Sequence, residues 1–114
     1  MGYNEQLAQQ IRAQLADRND VEEKKMFRGI TFMVGGKMCV CVTGQDLMCR
    51  IDPSIQEELI QKEGCRKMVM RGREYNGYVL VAGEVLKNAN DIAYWVGLCL
   101  DFNRYAIASK KRRK

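Results

Sequence analysis

The side chains with the most chemistry to offer are five cysteines, and they must act without histidine, of which the chain has none. Without imidazole there is no side chain with an ordinary pKa near neutrality, no Ser-His or Cys-His nucleophile pair and no imidazole metal ligand. Cys39 and Cys41 stand two apart in a β-prone run, which predicts that both point to one face of a strand, with Cys49 near them on the next strand. Those three thiols are a conceivable metal site. Their C-x-C spacing lacks the paired C-x-x-C elements that mark zinc sites, and Cys65 stands apart, so small buried apolar side chains are the simpler reading and no metal is expected. The carboxylates add little: Glu22 with Glu23 and Glu57 with Glu58 are adjacent pairs on solvated elements, not a facing acid and base. The expectation is a protein without catalytic activity or cofactor.

A net charge of +5 would suggest a polyanion partner, but its placement argues otherwise. Lys110, Lys111, Arg112, Arg113 and Lys114 hold five of the 19 basic residues, and the 14 that remain balance 14 acidic ones in residues 1–109. The body is neutral and the tail cationic. A second basic group, Lys67, Arg71 and Arg73, lies among Tyr75 and Tyr78, the mixture that can track a nucleic-acid backbone. Strand alternation would put these three on one face and Met68 and Met70 on the other, so a solvated strand face also explains them. Nucleic acid is the less favoured partner.

The elements that must position these groups follow from periodicity. Leu7, Ala8, Ile11 and Leu15 recur at helical spacing within residues 3–18, with Asn4 as the N-cap and Glu5 in the first turn. From Val21 the period moves towards two, giving either two short strands or one bulged strand around Gly29. Gly35-Gly36 then forms a tight hairpin turn into a strand at Met38–Val42; no Lys-Ser or Lys-Thr follows, so it is not a phosphate loop. Thr43 to Asp46 turns the chain into a strand at Leu47–Ile51. A second helix starts at Asp52-Pro53, or one step later at a Ser54/Glu57 capping box, and stops at Gly64. Strands near Arg66–Arg71 and Gly77–Ala82 are separated by a polar Gly72 to Asn76 turn. A last helix runs from Asn88–Asp91 to about Ala108, with Ile92, Trp95, Val96, Cys99 and Phe102 along its apolar stripe.

This order, one helix, three or four strands, a helix, two strands and a helix, predicts a two-layer α+β domain over residues 1–109, with an antiparallel sheet packed by helices and residues 110–114 as a basic tail. Apolar residues occupy both alternation classes of the strands: Met38, Val40 and Val42 in one, Cys39 and Cys41 in the other, and Met48 opposite in parity to Leu47 and Ile51. Helices cover one face, so the other, marked by Cys39, Cys41 and Met48, is expected to meet a protein partner or a second copy in a homodimer. Residues 1–10 hold no secretory signal, Gln6 stands where myristoylation needs Ser or Thr, and no stretch approaches the roughly twenty apolar residues of a membrane span. With an odd number of cysteines, the expected location is the cytoplasm and no membrane is involved.

Lys25, Met26, Phe27 and Gly29, then Phe32, Met33 and Val34, Met38, Asp46, Leu47, Met48 and Arg50, Gly77, Tyr78 and Val79, and Trp95 together give a pattern that resembles the TfoX N-terminal domain family, along the whole chain. That domain occurs in regulators of natural competence and in small stand-alone bacterial proteins. The family reads Gly-Gly after Met-Phe, where this chain has Arg28-Gly29. The resemblance implies a fold similar to the secretion-chaperone-like architecture and a regulatory, protein-binding role connected with transcription or competence, with no catalytic site. Full-length competence regulators of this type carry a further C-terminal helical domain, and the expectation is that this chain lacks it.

Overall fold

The computed structural model describes residues 3–26 and 29–106. They form a helix α1 (Glu5–Gln14), strands β1 (Val21–Met26), β2 (Gly29–Val34), β3 (Lys37–Thr43) and β4 (Asp46–Arg50), a short helix α2 (Gln56–Leu59), strands β5 (Cys65–Met70) and β6 (Arg73–Val81), and a helix α3 (Ala89–Asn103). All strand pairs are antiparallel, in the order β1-β2-β3-β4-β6-β5. The expected α+β architecture is present, and the break near Gly29 separates two strands.

Local chemistry explains most boundaries. Asn4 caps α1 by accepting the Leu7 N–H at 3.1 Å, and Asn88 caps α3 by accepting the Asp91 N–H at 3.0 Å. Gly35 and Gly36 take φ of 60° and 79° between paired Val34 and Lys37, the two positive values that a type I′ hairpin turn requires. The stretches expected to be longest are shorter. The first helix stops at Gln14 instead of residue 18. The second is a 3-10 turn at Pro53–Ile55 followed by four α-helical residues, with Asp52 capping the Ser54 N–H at 2.9 Å, so the Ser54/Glu57 box is not used. Gly64 still makes its left-handed turn (φ 80°), immediately ahead of β5. The last helix ends at Asn103, whose carbonyl accepts from Lys37 Nζ at 2.7 Å, and residues 107–108 of the expected extension lie outside the described residues.

The β5–β6 connection differs most from expectation. Its turn is Arg71-Gly72, not Gly72 to Asn76, and both residues have positive φ (56° and 76°). Arginine at the first turn position is unfavourable enough that sequence alone points to the wider loop. The added length goes into β6 as a bulge: Lys67 pairs with Val79 and Val69 with Glu74, so Met68 alone stands opposite Tyr75–Tyr78. Gly77 makes the bend at φ 86°. Its N–H is donated to Gln56 Oε1 at 2.6 Å, and its carbonyl accepts the Ile51 N–H at 2.8 Å, so both of its own backbone polar groups are paired.

One face of the sheet carries the principal core. Leu7, Ala8 and Ile11 of α1 and Ile92, Trp95, Val96 and Cys99 of α3 pack there on Phe32, Val34, Val40, Val42, Leu47, Cys49, Val79 and Val81. Burying such side chains stabilises a fold by roughly 1.5–3 kcal/mol each before entropy is counted. Gly29 has a packing reason to be glycine, since a Cβ there would collide with the Val42 carbonyl oxygen.

Candidate functional site

The opposite face has its own cluster, built only from strand side chains among the described residues: Met38, Cys41, Met48 and Met68, flanked by half-buried Met33, Tyr75, Tyr78 and Leu80. Cross-strand pairing assembles it. Thr31 faces Cys41, Cys41 faces Met48, Met48 faces Leu80, and Met33 faces Met38 one row away. The apolar second face expected from both alternation classes is real, yet the single chain already buries its centre: Cys41 and Met48 are 0% and 1% exposed. Curvature accounts for part of this. Cys41 Sγ lies 3.9 Å from the Met26 carbonyl oxygen although β2 separates β1 from β3, whose backbones would be about 9.5 Å apart in a flat sheet. The end of β1 therefore curls over this face. Tyr75 and Tyr78, in edge-to-face contact at 6.4 Å, close it from the bulged part of β6.

The three residues expected on this face separate. Cys41 and Met48 lie on it, whereas Cys39 belongs to the helix-covered core. A bulge in β3 is the reason: Phe32 pairs with Val40 but Met33 with Met38, so Cys39 is an extra residue and the alternation that would align it with Cys41 is broken. Cys39 instead meets Cys99 of α3, and Cys99 in turn meets Cys49. Their mutual hydrogen bonding and burial hold the Cys39 proton well above the ordinary thiol range, and burial does the same for Cys99. Among the described residues no three His, Cys, Asp or Glu side chains converge as metal ligands. Burial also raises Cys41 and Cys65, each to about 11. Buried neutral thiols of this kind are poor nucleophiles.

The basic candidates also part company. Lys67 pairs with Glu74 at 3.5 Å across the hairpin. Arg71 is in the turn and Arg73 begins β6, so the three do not form the single strand face that unbroken alternation predicts. Arg71 and Arg73 are exposed and make no ion pair among the described residues, whereas neighbouring Arg66 is held by Asp46 at 2.8 Å. Lys110, Lys111, Arg112, Arg113 and Lys114 lie outside the described residues, as do Phe27 and Arg28. The paired carboxylates are exposed: Glu22 and Glu23 on β1, Glu57 and Glu58 on α2, with Glu23 bound by Arg12 at 2.7 Å and 3.0 Å.

Arg50 stands in the sequence only as part of the family pattern, and the structure adds a packing role. Its guanidinium stacks on Tyr78 at 5.7 Å and on Phe102 at 5.9 Å, linking the rim of the second face to the end of α3. Residues 50, 78 and 102 are far apart in the chain and meet only through tertiary packing.

These features define a two-layer α+β domain with helices on one sheet face and a curled, sulfur-rich face on the other. The chain belongs to the TfoX N-terminal domain family, whose model matches residues 13–103. No curated protein and no solved structure matches it. Among the described residues no helix is long and apolar enough to cross a membrane.

Proposed function

We propose that this chain is a non-enzymatic, cytoplasmic interaction domain that regulates by binding another protein, or a second copy of itself, through the second face of the sheet. A role in transcription or competence fits its family. The observation that carries the reading is the rim of half-buried Met33, Tyr75, Tyr78 and Leu80 around a core made of strand side chains. Methionine and tyrosine are adaptable contact residues, and the buried centre beneath them gives the rim a fixed shape. Light scattering combined with affinity capture from a bacterial lysate tests it, with a Leu80→Lys variant as control. A defined complex lost in the variant is the expected result. A strict monomer that recovers no protein, or a complex indifferent to Leu80→Lys, would overturn it.

A second reading rests on Arg71 and Arg73, exposed at a hairpin tip without a carboxylate partner among the described residues. Together with the 110–114 tail they would contact a nucleic-acid backbone. Binding to duplex DNA should then fall steeply with salt, and more gently once those five residues are removed. No binding at low salt excludes it.

A further inference from the structure

We infer that the sulfur side chains of the second face form a binding site for a soft monovalent cation, Cu(I), in which the Cys41 thiolate and methionine thioethers are the ligands. Three thioethers and one thiol, Met38, Met48, Met68 and Cys41, share one contact cluster, and Met33 packs against it. The register sets sulfur residues opposite one another twice, Cys41 against Met48 and Met33 against Met38, in antiparallel pairs whose Cβ atoms stand about 4.5–5.5 Å apart. Simple core filling does not require this composition.

A second observation points to the same place. Thr31, opposite Cys41, is 0% exposed and its hydroxyl has no hydrogen-bond partner, so a buried polar atom with unused capacity adjoins the thiol of the cluster. The Thr31–Cys41 pairing across β2 and β3 sets the two side chains side by side on this face. The hydroxyl is positioned to donate to a thiolate there.

The donor set selects the ion. Thiolate and thioether suit Cu(I), whereas zinc and the hard divalent cations favour imidazole, carboxylate or several thiolates, and the described residues supply no such convergence. Binding is an exchange without redox change: the S–H bond of Cys41 breaks, a sulfur–copper bond forms, and one proton leaves to solvent. Methionines 38, 48 and 68 keep their protonation state and donate lone pairs. Thr31 is a positioning residue, holding the thiolate lone pair that copper does not take.

Anaerobic titration of the full chain with Cu(I), and separately with Ag(I), tests this, read by methyl NMR of 13C-methionine-labelled protein and by competition with a chromogenic Cu(I) chelator. One ion per chain is expected, with shifts at Met38, Met48 and Met68. Cys41→Ser should abolish that binding, Thr31→Val should weaken it roughly tenfold to a hundredfold, and Cys99→Ala should leave it unchanged. The near-isosteric Met38→Leu/Met48→Leu double variant, folded by circular dichroism, serves if Cys41→Ser does not fold, and it too should lose the ion. Unmoved methionine methyls, or equal affinity in that double variant, would overturn the inference. The titration contains no partner protein, so its outcome is separate from that of the interaction reading.

Discussion

At the scale of the residue, the informative positions are those where a side chain satisfies a backbone strained by topology. Gln56 is one: buried, it closes the β6 bulge by accepting the Gly77 N–H at 2.6 Å. Gln56→Ala should cost about 1–3 kcal/mol in urea unfolding, the penalty of a buried donor left unpaired. Arg71 is the opposite case, held at φ 56° where only its turn demands it. Arg71→Asn, which creates the favoured Asn-Gly pair, should stabilise the protein by roughly 0.5–1 kcal/mol and raise its melting temperature. If that variant unfolds earlier than the parent, the arginine makes contacts that the hairpin geometry does not account for. Gly29→Ala should be the most damaging of these changes, because the obstacle is the Val42 carbonyl, which the sheet holds in place.

At the scale of the element, local signals were readable wherever a turn or cap is made by consecutive residues. The Asn4 cap, the Gly35-Gly36 turn, the Asp52-Pro53 start and a last-helix start within Asn88–Asp91 all stand where the chain signals them. Asn88→Ala should cost about 1 kcal/mol, since it frees the Asp91 N–H at the start of the helix that carries Trp95 and Cys99. The bulges were not readable. An extra residue in β3 or β6 has no composition of its own, and a one-residue slip moves every later side chain to the other face. That is how Cys39 came to be expected beside Cys41 and lies instead beside Cys99.

At the scale of the whole molecule, all five cysteines are free and buried. Ellman's reagent at pH 8 should react slowly with the native protein and with five thiols once it is denatured. Stability should also depend on alkaline pH. Cys41 and Cys65 are raised from 9.0 to about 11, so folding favours their protonated forms. Their contribution is complete below about pH 9, where both states hold the proton, and is lost as pH rises through about 11 because the unfolded chain ionises first. Thermal unfolding between pH 8 and 11 should show this decline, reduced in a Cys41→Ala variant. A flat profile would mean that these thiols ionise alike in both states.

The sequence by itself determined the layers, the order of elements, the caps and the family, because each rests on periodicity or on residues close together in the chain. It also determined that the sheet has two apolar faces, since β2, β3 and β4 carry large side chains at both parities. Only the tertiary structure decided which cysteine lies on which face, how far β1 curls over Cys41, and that Arg50 meets Tyr78 and Phe102. The physical reason is common to all three. Bulges, sheet curvature and cross-strand register are set by the summed packing of distant segments, and no short stretch of the chain carries that sum.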